Sequence, residues 1–204
     1  MPRREDVPPL ERETLAGDPL DQFESWWESA LERVPLPDAM TLATAGADGA
    51  PNARMVLLKG FSPEGFSFFT NYESTKGGEL AENPRAALIL YWRELDRQVR
   101  IQGSVEKLPA AESDAYFATR PRGSQLGAIA SEQSQPVERE ELERRYAELK
   151  AEFEGADVPR PVHWGGYLLR PQVIEFWQGR DDRLHDRFRY SRDRGVWRIE
   201  RLSP

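Results

Sequence analysis

An antiparallel barrel within an α+β domain is what this sequence predicts, on three patterns. Between Met40 and Lys107, short runs alternate apolar with polar residues and are broken by glycine, proline and aspartate, as hairpin-linked strands are. Short helical patterns are inserted before, within and after that region. Strand patterns then return from Tyr167 to Ile199. Hairpins carrying inserted short helices suit a sheet that curls on itself.

Each element follows in order. Residues 1–18, with Pro2, Pro8 and Pro9 among many charges, read as a mobile arm, and 19–204 as a single domain. Asp18-Pro19 marks a helix start, with aspartate as N-cap and proline at the first helical position. Leu20, Phe23, Trp27, Ala30, Leu31 and Val34 give its apolar stripe, and Pro35 and Pro37 end it. Strands are expected at Met40–Ala45 and Asn52–Lys59 around Asp48-Gly49, a hairpin signal because both turn positions favour positive φ. Phe61–Gly65 is a second turn, Phe66–Thr70 a third strand, and Thr75–Glu82 a short helix weakened by Gly77 and Gly78. Two further strands follow, Arg85–Trp92 and Gln98–Lys107, the latter alternating Val99, Ile101 and Val105 with polar neighbours. Pro109 opens a helix to about Arg120, and Pro136 opens another with Leu142, Tyr146, Leu149 and Phe153 on one face. The last strands are expected at Tyr167–Leu169, Val173–Trp177, near Arg187 and at Val196–Ile199.

Composition removes several function classes. The chain has 204 residues, a net charge of -7, two histidines and no cysteine. Disulfides, thiolate nucleophiles and cysteine-ligated metals are excluded, and no metal site is expected. The acidic balance argues against a nucleic-acid surface, since phosphate backbones select basic faces. Met1–Glu13 is no secretory signal, and the longest apolar run, Ala86–Trp92, is far too short to span a bilayer. A soluble cytoplasmic protein with no membrane partner is expected.

A local cationic cluster in an acidic protein points to a small anionic ligand. In Arg183-Leu184-His185-Asp186-Arg187, read as a strand, Arg183, His185 and Arg187 share one face beside Trp177. That face either holds an anion against a flat ring or is a solvated edge. Arg54 and Lys59 bound an apolar run at odd spacing, so an ideal strand would turn them to opposite faces unless it ends or bulges near Gly60. Asn71–Gly78 offers hydroxyls, Lys76 and a helix start, as a phosphate cradle or an ordinary cap would. Tyr116 and Arg120 lie four apart on one helix face, and Pro121 and Gly123 turn the chain so that Ser124 approaches them. A phenol, a guanidinium and a hydroxyl make a clamp for a small anion, and a polar helix end has the same composition. Gln133 and Ser134 add uncharged donors in a loop.

Together these blocks resemble the pyridoxine/pyridoxamine 5′-phosphate oxidases over nearly the whole chain. The matching blocks are Arg54-Met55-Val56-Leu57-Leu58-Lys59, Arg97-Gln98-Val99, Tyr116 to Gln125, Trp164-Gly165-Gly166, and Phe176 to Gly179 with Arg183 to Phe188. The resemblance implies a homodimer of FMN-binding antiparallel split β-barrels with peripheral short helices and the flavin at the subunit interface. It puts FMN on Arg54, Met55, Val56, Leu57, Leu58, Lys59, Phe69, Thr70, Thr75, Lys76, Gln98, Gln133, Ser134, Trp177 and Arg187. It puts the substrate phosphate on Lys59, Tyr116, Arg120 and Ser124, and the pyridine ring on Arg183 and His185, the catalytic pair. Arg3 and Arg4 belong to an N-terminal segment that closes over the substrate in the family. The implied reaction is two-electron oxidation of pyridoxine or pyridoxamine 5′-phosphate at C4′, with O2 as electron acceptor and hydrogen peroxide as product.

Three positions depart from the family pattern. Thr75 stands where many members carry arginine, Phe69 where tyrosine is frequent, and Asp6 where a tyrosine follows Arg-Arg-Glu. The first removes a phosphate cation, the second a hydroxyl and the third a group from the closing segment. Two other classes fit parts of the pattern. A split-barrel flavin or deazaflavin reductase would lack the Tyr116–Ser124 clamp, and a non-catalytic flavin or pyridoxal-phosphate carrier would bind without turnover.

Overall fold

The computed structural model describes residues 7–204; Arg3, Arg4 and Asp6 lie outside the described residues. Asp18 accepts from the Leu20 N–H at 2.8 Å and opens α1 (Pro19–Arg33). Phe23, Trp26 and Ala30 are buried on its inner face, while Leu31 is 57% exposed. The expected stripe is thus rotated: Trp26 takes the seat assigned to Leu31, because a step of about 100° beyond Ala30 carries position 31 off the buried face.

Of the strands β1 (Ala39–Ala45), β2 (Pro51–Leu57), β3 (Gly60–Ser62), β4 (Gly65–Asn71), β5 (Arg85–Trp92) and β6 (Arg97–Lys107), all but β3 follow the expected runs closely; β3 takes up the start of the stretch expected as a turn, Phe61–Gly65. A single strand, β7 (Trp164–Gln178), then precedes the hairpin of β8 (Asp186–Asp193) and β9 (Val196–Arg201). All the pairings are antiparallel, in the order β2-β1-β5-β6-β7-β4-β3, with β8 and β9 added on β7. The two ends of that order are joined by only Leu58 and Lys59, so the sheet curls into a barrel held at its seam by the chain itself. Its inside is filled by Met40, Leu42, Phe66, Phe68, Leu88, Leu90, Val99, Ile101, Ile174 and Phe176, all fully buried.

Several expectations are corrected. The Asp48-Gly49 connection leaves residues 46–50 outside the strands, with only Gly49 at positive φ, and the Asp48 carboxylate accepts from the Ala50 N–H at 3.0 Å. An aspartate that bonds its own backbone in this way has no need of the left-handed region. The two strands expected on either side of Pro171 are one 15-residue strand. Pro171 pairs with Gly103 at a register shift where Gln172 is the extra residue. A bulge tolerates the missing N–H of proline, and a Cβ on Gly103 would sit 1.9 Å from the Arg170 carbonyl oxygen.

The helices are α2 (Thr75–Glu82), α3 (Ala110–Thr119), α4 (Arg122–Ala130) and α5 (Arg139–Glu152). The α4 helix was not expected. Pro121 is its N-cap residue rather than part of a turn, and Gly123 and Ser124 lie in its first turn. A small second core of Phe117, Leu126, Val158 and Trp164 fixes these helices to the start of β7. Residues 7–18 lie along β8: Leu15 is buried and the Tyr190 hydroxyl donates to the Ala16 carbonyl at 2.8 Å. No helix among the described residues is long and apolar enough to cross a membrane.

Candidate active site

A cleft of about 630 Å³ opens beside the barrel seam. Arg54, Met55, Val56 and Leu57 of β2 line one wall, with Lys59 just beyond the strand end. Because β2 stops at Leu57, the alternation that would turn Arg54 and Lys59 apart no longer applies. Phe69 and Thr70 of β4, Lys76 of α2, Tyr116 of α3, Arg120, Ser124 of α4 and Gln133 complete the wall. Leu58 instead turns into the core, 4% exposed.

The two ends of the cleft differ chemically. At one end Phe69, Tyr116 and Trp164 lie near parallel, with Phe69–Tyr116 centroids 4.0 Å apart and Phe69–Trp164 centroids 5.6 Å apart. The Arg120 guanidinium lies over Trp164, 4.6 Å from the ring centroid. Its Nη1 is enclosed and has no hydrogen-bond partner among the described residues, and burial lowers its pKa from the ordinary arginine value. An enclosed N–H with no acceptor costs about 1–3 kcal/mol, a cost that a bound acceptor would remove.

At the other end Lys76 is buried, its ammonium donating to Ser74 Oγ at 2.9 Å and Gln133 Oε1 at 3.2 Å. Among the described residues, two of its three protons are thereby engaged and one remains. Burial lowers its pKa to about 8, the Arg54 charge pushes the same way, and Glu79 opposes them. The Arg54 guanidinium is held by the Leu42 carbonyl at 3.2 Å, by Thr44 and by Glu79 at 3.1 Å. Ser134, at φ 77°, accepts from the Thr75 N–H at 3.3 Å. Lys59 is paired with Asp38 at 2.8 Å.

The remaining expected residues lie elsewhere, none of them lining this cleft. Gln98, Trp177 and Arg187 are successive partners across β6, β7 and β8 and form one row. Arg187 is braced by Glu175 at 2.9 Å and the Ser203 carbonyl at 2.9 Å. Arg183 and His185 belong to the loop between β7 and β8, not to a strand. Asp181–Arg183 form a 3-10 turn with Asp182 and Arg183 at positive φ, and β8 starts only at Asp186. The shared strand face of Arg183, His185 and Arg187 is therefore wrong: a hairpin reverses the chain there, and a period of two cannot run through it. Leu184, between Arg183 and His185, is 70% exposed. The His185 ring nevertheless rests on Trp177, with centroids 4.5 Å apart.

Trp164, Thr119 and Pro121 line the cleft and were not expected there. A signal for Trp164 stands beside it: Gly165 and Gly166 are needed because a Cβ would meet the Tyr72 hydroxyl at 2.1 Å and the Phe69 ring at 2.8 Å. Paired glycines after a tryptophan mark such close packing.

Residues 27–153 match the model of the pyridoxamine 5′-phosphate oxidase family. The chain belongs to that family. Residues 164–204 match the pyridoxine 5′-phosphate oxidase C-terminal dimerisation region. Two relatives named pyridoxine/pyridoxamine 5′-phosphate oxidase, from Bordetella petrii and Rubrobacter xylanophilus, are each 58% identical to it. The first match covers 96% of this chain and 93% of the relative, the second 98% of both. The structure of PhzG from Burkholderia lata in complex with tetrahydrophenazine-1-carboxylic acid is similar at 37% identity and a TM-score of 0.92, covering 98% of both chains. An FMN-binding protein from Nostoc punctiforme, at 18% identity and a TM-score of 0.74 over 94% of this chain and 99% of its own, shares the fold. Like its family, this pyridoxamine 5′-phosphate oxidase homologue is an oxidoreductase whose cofactor is FMN. The residues present fit that group: the cleft is large enough for a flavin chain and holds a buried ammonium with one proton to give.

Proposed function

We propose that this enzyme oxidises pyridoxine 5′-phosphate or pyridoxamine 5′-phosphate to pyridoxal 5′-phosphate, with O2 as electron acceptor, and that it works as a homodimer. The observation that carries the substrate assignment is the Arg120 guanidinium, enclosed, unpartnered at Nη1 and set beside Tyr116, Ser124 and Lys59. A phosphate dianion supplies acceptors to all four groups at once.

Bound FMN supplies two-electron acceptance from the C4′ carbon and return of those electrons to O2. The chain's own residues bind and orient. In this reading Arg54, Thr75, Lys76, Gln133 and Ser134 hold the flavin phosphate, and the β2 residues Met55, Val56 and Leu57, with Leu58 and Lys59, run along the flavin beside Phe69 and Thr70. With threonine at position 75, Lys76 and Arg54 carry the cationic share alone. Lys59, Tyr116, Arg120 and Ser124 hold the substrate phosphate. A second copy of the chain contributes Gln98, Trp177 and Arg187 to the flavin, and Arg183 and His185 to the substrate ring. Support for the second copy is that these five stand outside the cleft, that residues 164–204 match a dimerisation region, and that Met55, Leu57 and Tyr91 are exposed.

The similarity to PhzG favours a second reading, oxidation of a carboxylated polycyclic ring, which Arg120 would also bind. Purified flavin-loaded enzyme, given each 5′-phosphate under air, separates them. Equal amounts of aldehyde and peroxide, with ammonia from the amine, are expected. A flavin-loaded protein that forms neither product would remove the proposal.

A further inference from the structure

Arg180 makes a set of contacts that neither ligand accounts for. Its main-chain N–H donates to His185 Nδ1 at 3.0 Å. Its Nε donates to Asp186 Oδ2 at 2.7 Å, and its two terminal nitrogens donate to the carbonyls of Val7 and Pro8. Asp186 is buried and also accepts from Arg201 at 2.9 Å and from the Leu10 N–H at 3.1 Å. Burial opposes its ionisation, yet the donors from Arg180, Leu10 and Arg201 outweigh that and hold its carboxyl below the usual range. The loop from Gly179 to His185 is therefore fastened through one side chain to β8 and to the N-terminal segment.

This fastening has a consequence at one atom. A ring nitrogen that accepts from an N–H uses its lone pair and carries no proton. With Nδ1 so engaged, the neutral His185 ring keeps its proton on Nε2, while its face is covered by Trp177. We propose that Arg180 is a positioning residue that locks His185 in the Nε2–H tautomer, so that His185 offers the substrate a hydrogen-bond donor and not a base. The partner it fits is an acceptor on the pyridine ring, the phenolic oxygen or the ring nitrogen, rather than an ammonium or hydroxyl proton at C4′. The tautomer stands independently of any ligand; its use on a pyridine ring rests on the function proposed above.

Ring-15N-histidine spectra of the full-length, FMN-loaded protein test this directly. There are only two histidines, so the His163→Gln variant leaves the His185 signals alone. The wild-type protein is expected to show an unprotonated Nδ1 and a protonated Nε2. Arg180→Ala keeps the main-chain N–H but releases the loop that aims it at Nδ1, and so should move both resonances toward the average of two tautomers. It should also raise KM for pyridoxine 5′-phosphate several-fold with a smaller change in kcat and unaltered FMN affinity. A wild-type proton on Nδ1, a doubly protonated ring, or an Arg180→Ala spectrum identical to wild type would overturn the proposal. Should the variant lose its fold, the wild-type spectrum still decides the tautomer. If the expected tautomer is found but its signals ignore added pyridoxal 5′-phosphate, Arg180 keeps its role and the substrate-facing reading of His185 falls.

Discussion

Two cations in the cleft are satisfied differently, and the difference predicts which ligand each one serves. Arg120 has an enclosed Nη1 with no acceptor among the described residues. Arg120→Ala is expected to cost about 1.5–3 kcal/mol in substrate binding, roughly tenfold to a hundredfold in KM, with FMN affinity barely changed. Flavin titration and steady-state kinetics on the same preparation check both halves. Lys76, by contrast, is already held by Ser74 and Gln133, and burial lowers its pKa to about 8. Below that pH it is an ammonium and attracts the flavin phosphate; above it the free protein must take up a proton to bind. FMN affinity should therefore be flat between about pH 7 and 8, where the flavin phosphate is still a dianion, and weaken by up to about tenfold per pH unit above it. Fluorescence quenching of FMN titrated with apoprotein measures this, and affinity rising with pH across that range would contradict the role of Lys76.

Among the elements, α2 shows how one residue type can mean two things. Two adjacent glycines read as a weakness in a helix pattern, yet they are not equivalent. A Cβ on Gly77 would lie 1.9 Å from the Tyr72 carbonyl oxygen, whereas one on Gly78 meets nothing within 4 Å. Gly77→Ala should push the helix start off Tyr72, lowering both Tm and FMN affinity. Gly78→Ala should stabilise the protein by about 0.5–1 kcal/mol, and thermal unfolding of the two variants should move in opposite directions. Strand alternation was legible where side chains face a core, as in β6, and the start of α1 was legible in its Asp18 cap. They were not legible where the chain turns. Pro121, Gly123 and Ser124 suit a turn as well as the first turn of α4, and only the packing of Leu126 on Phe117 and Trp164 decides between them. The one apolar residue in the charged run at Arg183, Leu184, is exposed, so no buried side chain marks a face and the loop conformation could not be seen. Arg183→Leu should slow flavin reduction in a single turnover by about a hundredfold, because the ring loses an orienting group while the phosphate anchor stays. A normal reduction rate would return the loop to a solvated role.

For the whole molecule, the sites implied by the resemblance divide into two groups that one chain does not bring together. The seam cleft holds Lys59, Tyr116, Arg120 and Ser124, while Arg183 and His185 sit on the β7–β8 loop against Trp177. Sequence spacing gives no hint of such a division, since it depends on the placement of a second copy. Dissociation of the dimer by dilution should release FMN, and a monomer retaining full flavin content would contradict the shared site. Mixed dimers test the division most directly. Arg120→Ala and Arg183→Leu subunits are unfolded together, refolded with FMN and assayed for oxidation of pyridoxine 5′-phosphate well below the wild-type KM, where each parent alone keeps about a tenth of wild-type activity or less. If each site draws one group from each subunit, half the dimers are mixed and half of their sites are intact, so about one quarter of wild-type activity should return. Activity no higher than that of the two parents would show that both groups come from the same chain, and the two-subunit site would be wrong.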